Sequence, residues 1–148
     1  MKIYTSYWAQ VRNFPENLIG LNTTIWPPKW RPLGMDDNGV IVINCPPLQP
    51  GFECEGLCNG KCDPKHPKDC EYLKTYRTQL DKINFDNFTW HLNHLRKVFL
   101  DEHPEYDTVD FALIVYEKYD KLCSERWPLR NWLEAHRQDV KEWHKNGK

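Results

Sequence analysis

Four cysteines crowd one short stretch of this chain. Cys54, Cys58, Cys62 and Cys70 fall within 17 residues, spaced C-x3-C-x3-C-x7-C, with His66 between the last two. Thiolates at x2–x4 spacing suit a tetrahedral zinc, because a short loop must fold back to place two sulfurs on one ion. Asn59-Gly60 supplies a pair tolerant of positive φ inside that loop. The favoured expectation is a closed, structural zinc site on Cys54, Cys58, Cys62 and Cys70, with His66 or Cys45 as substitutes for one ligand. Disulfides, an iron–sulfur cluster and unliganded loop cysteines are the competing readings. The even total of six cysteines speaks for the first of these, and the spacing matches neither common ferredoxin pattern. Pro46, Pro47, Pro50, Pro64 and Pro67 stiffen the segment, which has few apolar residues to bury. A metal would supply the cohesion that a small core cannot.

A second group of residues gathers where strands are expected to end. Tyr4, Thr5, Ser6 and Tyr7 close the first strand, Lys29 and Arg31 flanked by Trp26 and Trp30 follow the second, and Glu117-Lys118 follows the last. Cys123-Ser124-Glu125-Arg126 then leads into the final helix. A thiol at a helix start beside an arginine can have a lowered pKa, and the same helix start can hold an anion. The spacing is wrong for a phosphatase loop, since Arg130 lies seven positions after Cys123 and the loop lacks glycine. Cys123 therefore competes between nucleophile and packing residue, and Arg126 between anion ligand and partner of Glu117. An aromatic beside a basic side chain can hold a base and its phosphate, which makes Trp26, Lys29 and Trp30 the stacking candidates. Simple packing is the alternative for both tryptophans. His91 and His94, three apart, read as a polar helix face.

The elements that must position these groups follow from hydrophobic period. Strands are expected over residues 2–5, 18–25, 40–43 and 109–116, the last being the clearest buried run. Helices are expected around Leu73–Ile83 with Asp69 as N-cap, around Phe85–Phe99 after a break at Asn84, and around Leu129–Trp143 with Pro128 in the opening turn. Strands separated by helices favour a parallel or mixed sheet. The expected architecture is α/β: one three-layer domain over residues 1–148, a mainly parallel sheet of about four strands, and a cysteine-rich metal-binding insert over residues 50–70. In open α/β sheets ligands bind outside the carboxyl ends of the strands, which is where the second group converges.

Composition bounds the function. The 148 residues carry 20 basic and 21 acidic side chains, a formal charge of −1, which argues against a duplex-DNA binder working by phosphate neutralisation. Residues 84–110 hold six acids against two bases, and residues 121–148 hold seven bases against four acids, enough for one anionic ligand but not for a nucleic-acid track. Aromatics at 14% exclude disorder, and no apolar run approaches a membrane span. The first residues lack the apolar stretch of a signal peptide, so the expected location is cytoplasmic.

Several short segments together carry a resemblance. Lys2-Ile3-Tyr4-Thr5-Ser6-Tyr7, Pro28-Lys29-Trp30, Cys45-Pro46-Pro47-Leu48, Cys70-Glu71-Tyr72-Leu73-Lys74 and Ile114-Val115-Tyr116-Glu117-Lys118 followed by Cys123 are similar to domain-of-unknown-function family 488 of bacteria and phages. The resemblance implies a small cytoplasmic α/β domain and supplies no reaction. Members of that family often carry Cys-His-Arg where this chain has Cys123-Ser124-Glu125-Arg126, which removes any role for the histidine. Carried over residue by residue, Tyr4, Ser6, Lys29, Glu117, Cys123 and Arg126 remain as site candidates. The leading expectation is a zinc-stapled domain binding a nucleotide or single-stranded nucleic acid through Tyr4, Ser6, Trp26, Lys29, Trp30 and Arg126. The alternatives are an enzyme on a small anionic substrate, with Cys123 as nucleophile and Glu117 as acid or base, and a phage-encoded module whose tryptophans contact a protein partner.

Overall fold

The longest apolar strand takes the centre of the sheet. β5 (Asp110–Val115) lies between β1 (Ile3–Tyr7) and β2 (Leu18–Asn22), parallel to both, with Ile3 and Ile19 each opposite Phe111. Burial on both faces is what its uninterrupted Phe-Ala-Leu-Ile-Val run requires, and residues 111–115 are wholly buried. β4 (Ile41–Asn44) pairs parallel with β2, and β6 (Val140–Glu142) pairs parallel with β1. The two-residue β3 (Gly34–Met35) runs antiparallel at the β4 edge, completing the order β3-β4-β2-β5-β1-β6. This computed structural model describes residues 1–57, 63, 65–121 and 123–145.

Helices α1 (Glu71–Asp81), α2 (Phe85–Glu102) and α3 (Arg126–Ala135) all cover one face. Tyr76 and Leu80 from α1, Phe88, Leu92 and Phe99 from α2, and Leu129, Trp132 and Leu133 from α3 pack there on Phe111, Leu113 and Val115. The other face, carrying Ala112 and Ile114, is covered by Trp8 and Val11 of a 3-10 segment (Trp8–Asn13), by Phe14, and in part by Tyr4 and Trp143. Among the described residues the third layer is thus a 3-10 turn and single aromatic side chains in place of α-helices. Trp143 stands edge-on to Phe14, ring centroids 4.9 Å apart.

The expected sheet of about four strands has six among the described residues, because β3 and β6 are too short to show a period. The expected last helix also ends early. Arg137 adopts φ of +62°, and the Arg137 and Gln138 amides donate to the Glu134 and Leu133 carbonyls at 2.9 Å each, closing the helix. Val140, read as the next turn of helix, therefore lies in β6, and Trp143 follows it in the chain. Asp69 is not the cap of α1; Cys70 holds that position without a side-chain hydrogen bond. Asn84 does cap α2, its Oδ1 accepting from the Asn87 amide at 3.0 Å. Among the described residues no helix is long and apolar enough to cross a membrane.

Candidate functional site

β1 and β5 lie side by side, and their onward connections leave on opposite faces, β1 towards the 3-10 segment and β5 towards α3. That divergence opens the crevice at the carboxyl ends of the strands. Arg126, the first residue of α3, fills it. Its Nε donates to Glu142 Oε1 at 2.7 Å, Nη1 to the Lys118 carbonyl at 2.9 Å, and Nη2 to the Glu117 carbonyl at 2.6 Å. Thr5 Oγ1 donates to the same Glu142 oxygen at 2.7 Å, and the guanidinium lies 6.0 Å over the Tyr7 ring. Arg126 is only 6% exposed. Its charge is met by Glu142 and not by the Glu117 carboxylate, and it ties the β5–α3 loop to β6.

Glu117 itself sits beside a second carboxylate. Burial first, then the negative charge of Glu125, pushes its pKa up to about 7. The Ser124 hydroxyl accepts from the Arg126 amide at 3.1 Å and is left to donate its proton towards Glu117, which opposes the rise. Glu117 Oε1 is buried with no hydrogen-bond partner among the described residues. Glu125 accepts from the Tyr72 hydroxyl at 2.9 Å. Glu117 is thereby placed to exchange a proton near neutral pH, as an acid–base group requires. Glu125 is the functional candidate that the sequence reading passed over; the only signal was its place between Ser124 and Arg126.

Tyr72 is also a wall of a cleft of about 490 Å³, shared with Ile25, Trp26, Phe52 and Cys54. Trp26 is 78% and Phe52 88% exposed. Their loops are held by polar side chains without obvious sequence signature. Asn22 Oδ1 accepts from the Thr24 amide at 2.9 Å, Gln49 Nε2 donates to the Thr24 carbonyl at 2.8 Å, and Gln79 Oε1 accepts from the Gly51 amide at 2.7 Å. Lys29 and Trp30 are exposed on the same post-β2 segment as Trp26. Arg31 is not: it is buried, with Nη2 donating to the Val40 carbonyl at 2.9 Å and Nε 3.8 Å from Asp36. Arg126 borders a separate open cleft of about 400 Å³ with Lys68, Lys121 and Arg130.

Ser6 and Tyr4 line neither of these clefts. Ser6 is buried and donates to the Trp143 carbonyl at 2.7 Å, and Tyr4 packs against the second core. Both lie on the sheet face away from the helices. Cys123 is half-buried just before α3. Of the four proposed zinc ligands, Cys58 and Cys62 lie outside the described residues. Cys54 is buried 3.8 Å from Gln79 Oε1, with its thiol pushed up chiefly by burial and further by Glu53 and Glu125, while Cys70 is half-buried. His66 Nδ1 lies 2.7 Å from Asp63 Oδ2, which raises its pKa. Cys45 is a core thiol, its pKa pushed up to about 12 by burial. Trp90 is 60% exposed on α2 and stacks on His94, whereas Trp132 is fully buried.

The fold and site define an α/β domain with a mostly parallel sheet and a carboxyl pair beside an aromatic cleft at the strand ends. No family model, curated protein or solved structure matches this chain.

Proposed function

We propose that this protein binds a nucleotide or a short run of single-stranded nucleic acid in the aromatic cleft at the carboxyl ends of its strands. The observation that carries the reading is Trp26 and Phe52, two large exposed rings on one cleft, with the exposed Lys29 three positions after Trp26 in the chain. A planar base stacks on exposed rings of this kind, at about 1–3 kcal/mol per base. Lys29 supplies charge to a phosphate, and Lys68, Lys121 and Arg130 of the separate basic cleft offer a second anion position, whereas Arg126 is already neutralised by Glu142. Titration of the chain with nucleotides and oligo-dT, followed by tryptophan quenching, tests it. Saturable quenching that Trp26→Ala weakens at least tenfold is expected. Absence of quenching, or binding indifferent to Trp26→Ala combined with Lys29→Ala, overturns the reading.

The pKa of about 7 at Glu117 supports a second reading, an enzyme on a small anionic substrate in which Glu117 acts as acid or base and Cys123 as nucleophile. It requires a Cys123 thiol that alkylates faster than a model thiol at neutral pH. The proposed structural zinc on Cys54, Cys58, Cys62 and Cys70 rests on their spacing, as the resemblance to family 488 rests on its short motifs. One zinc per chain with no disulfide is the result that zinc coordination requires.

A further inference from the structure

We propose a divalent transition-metal site at the opposite, amino-terminal edge of the sheet, formed by Glu16, His103 and Glu105. The three side chains each offer one ligand atom, all within 4.8 Å of one another. Nδ1 of His103 stands 3.8 Å from Glu16 Oε1 and 3.5 Å from Glu105 Oε1. Ligands bound at about 2.0–2.2 Å to a tetrahedral ion are separated by roughly 3.3–3.6 Å, so these gaps are close to what an ion requires. Neither carboxylate makes a hydrogen bond to the imidazole at this separation.

Each ligand is held by the fold. Glu16 and His103 come from the segments that enter β2 and leave α2, which the backbone joins where the Asp110 amide donates to the Asn17 carbonyl at 3.0 Å. The His103 ring stacks on Phe99 with centroids 4.3 Å apart, and its amide donates to the Phe99 carbonyl at 2.9 Å. Tyr106 donates to Glu16 Oε2 at 2.8 Å, leaving Oε1 towards the imidazole. A Cβ on Gly39, whose φ is +81°, would stand 3.0 Å from that same Oε1, so the turn before β4 leaves room for the carboxylate. Hydrogen bonds of the Tyr106 kind orient metal ligands and typically contribute 10- to 100-fold in affinity.

One imidazole and two carboxylates suit Mn²⁺ or Zn²⁺ better than Mg²⁺ or Ca²⁺, which prefer all-oxygen sets. The ion would tie the β2 entry to the end of α2, on the edge away from the aromatic cleft. It is independent of the nucleotide reading. Mn²⁺ is the probe of choice because it discriminates against the soft cysteine thiolates. Full-length protein titrated with Mn²⁺ at pH 7.5, with free ion read by its electron paramagnetic resonance signal, is expected to take up one ion per chain. His103→Ala and Glu105→Gln should each weaken uptake at least tenfold, and Tyr106→Phe about tenfold, with circular dichroism unchanged. Glu105 is exposed, so its variant keeps the fold even where His103→Ala does not. No uptake at millimolar Mn²⁺, or uptake unchanged in Glu105→Gln and His103→Ala, overturns the proposal.

Discussion

Glu117 shows how one partly buried carboxyl writes a pH dependence into the whole protein. Its folded pKa of about 7 lies above that of an unfolded glutamate, so the native state holds this proton more tightly than the unfolded chain. The stabilisation is complete below about pH 4.5 and is lost as pH rises through 7. Glu117 is only partly buried, so solvent screening reduces the effect to on the order of 1–2 kcal/mol. Glu117→Gln removes the slope. Urea midpoints at pH 5 and pH 8 are expected to fall with pH in the parent protein by that much more than in the variant. Equal slopes would show that burial and the Glu125 charge do not raise the Glu117 pKa. The contrast with Arg126 is instructive: almost fully buried, it has Glu142 and two carbonyls, which is how a buried charge is held.

Strand β2 is tightly constrained by its neighbours. Gly20 lies between β4 and β5, in register with Val42 and Ala112. A Cβ there would stand 2.6 Å from Ile114 Cδ1 and 3.0 Å from Val42 Cγ2. Ordinarily glycine weakens a strand interior, but here the second core leaves no room for a side chain. Gly20→Ala is expected to cost about 1–3 kcal/mol through overpacking, read as a lowered urea midpoint with an unchanged denaturant slope. A neutral or stabilising result would mean that Ile114 and Val42 repack freely. The same tight contact of β2 with β5 brings the post-β2 segment, and with it Trp26, to the carboxyl edge of the sheet.

At the scale of the whole molecule the two faces of the sheet are unequally protected. Three helices insulate one face, whereas the other depends on the 3-10 segment, Phe14 and Trp143. Trp143 is anchored where its amide donates to the Thr5 carbonyl at 2.8 Å, so the end of the chain closes this face. Trp143→Ala is expected to cost about 2 kcal/mol, less than a full core truncation because the ring is only partly buried. Hydrogen exchange should then rise in residues 8–14 and stay low in α1 and α2. Uniform loss of protection would mean that the thin face has no separate opening.

Much of the scaffold is legible in residue order. The apolar run at 109–116, the break at Asn84 and the helical spacing of Leu73, Tyr76 and Leu80 are local signals, and burial and helix termination act on them locally. Glu117 and the Trp26–Trp30 segment were also visible as chemistry at strand ends. β6, the separation of Tyr4 and Ser6 from the aromatic cleft, and the pairing of Arg126 with Glu142 were not. Each depends on which strand lies beside which, and on which sheet face a side chain points to once the register is set. Glu16, His103 and Glu105 illustrate the point, since 87 residues separate the first two in the sequence. By itself the sequence determined an α/β domain with a mainly parallel sheet, and placed Glu117 and the Trp26–Trp30 segment after strands. Only the tertiary structure decided which of those residues meet, because pairing distant segments depends on packing that no local pattern encodes.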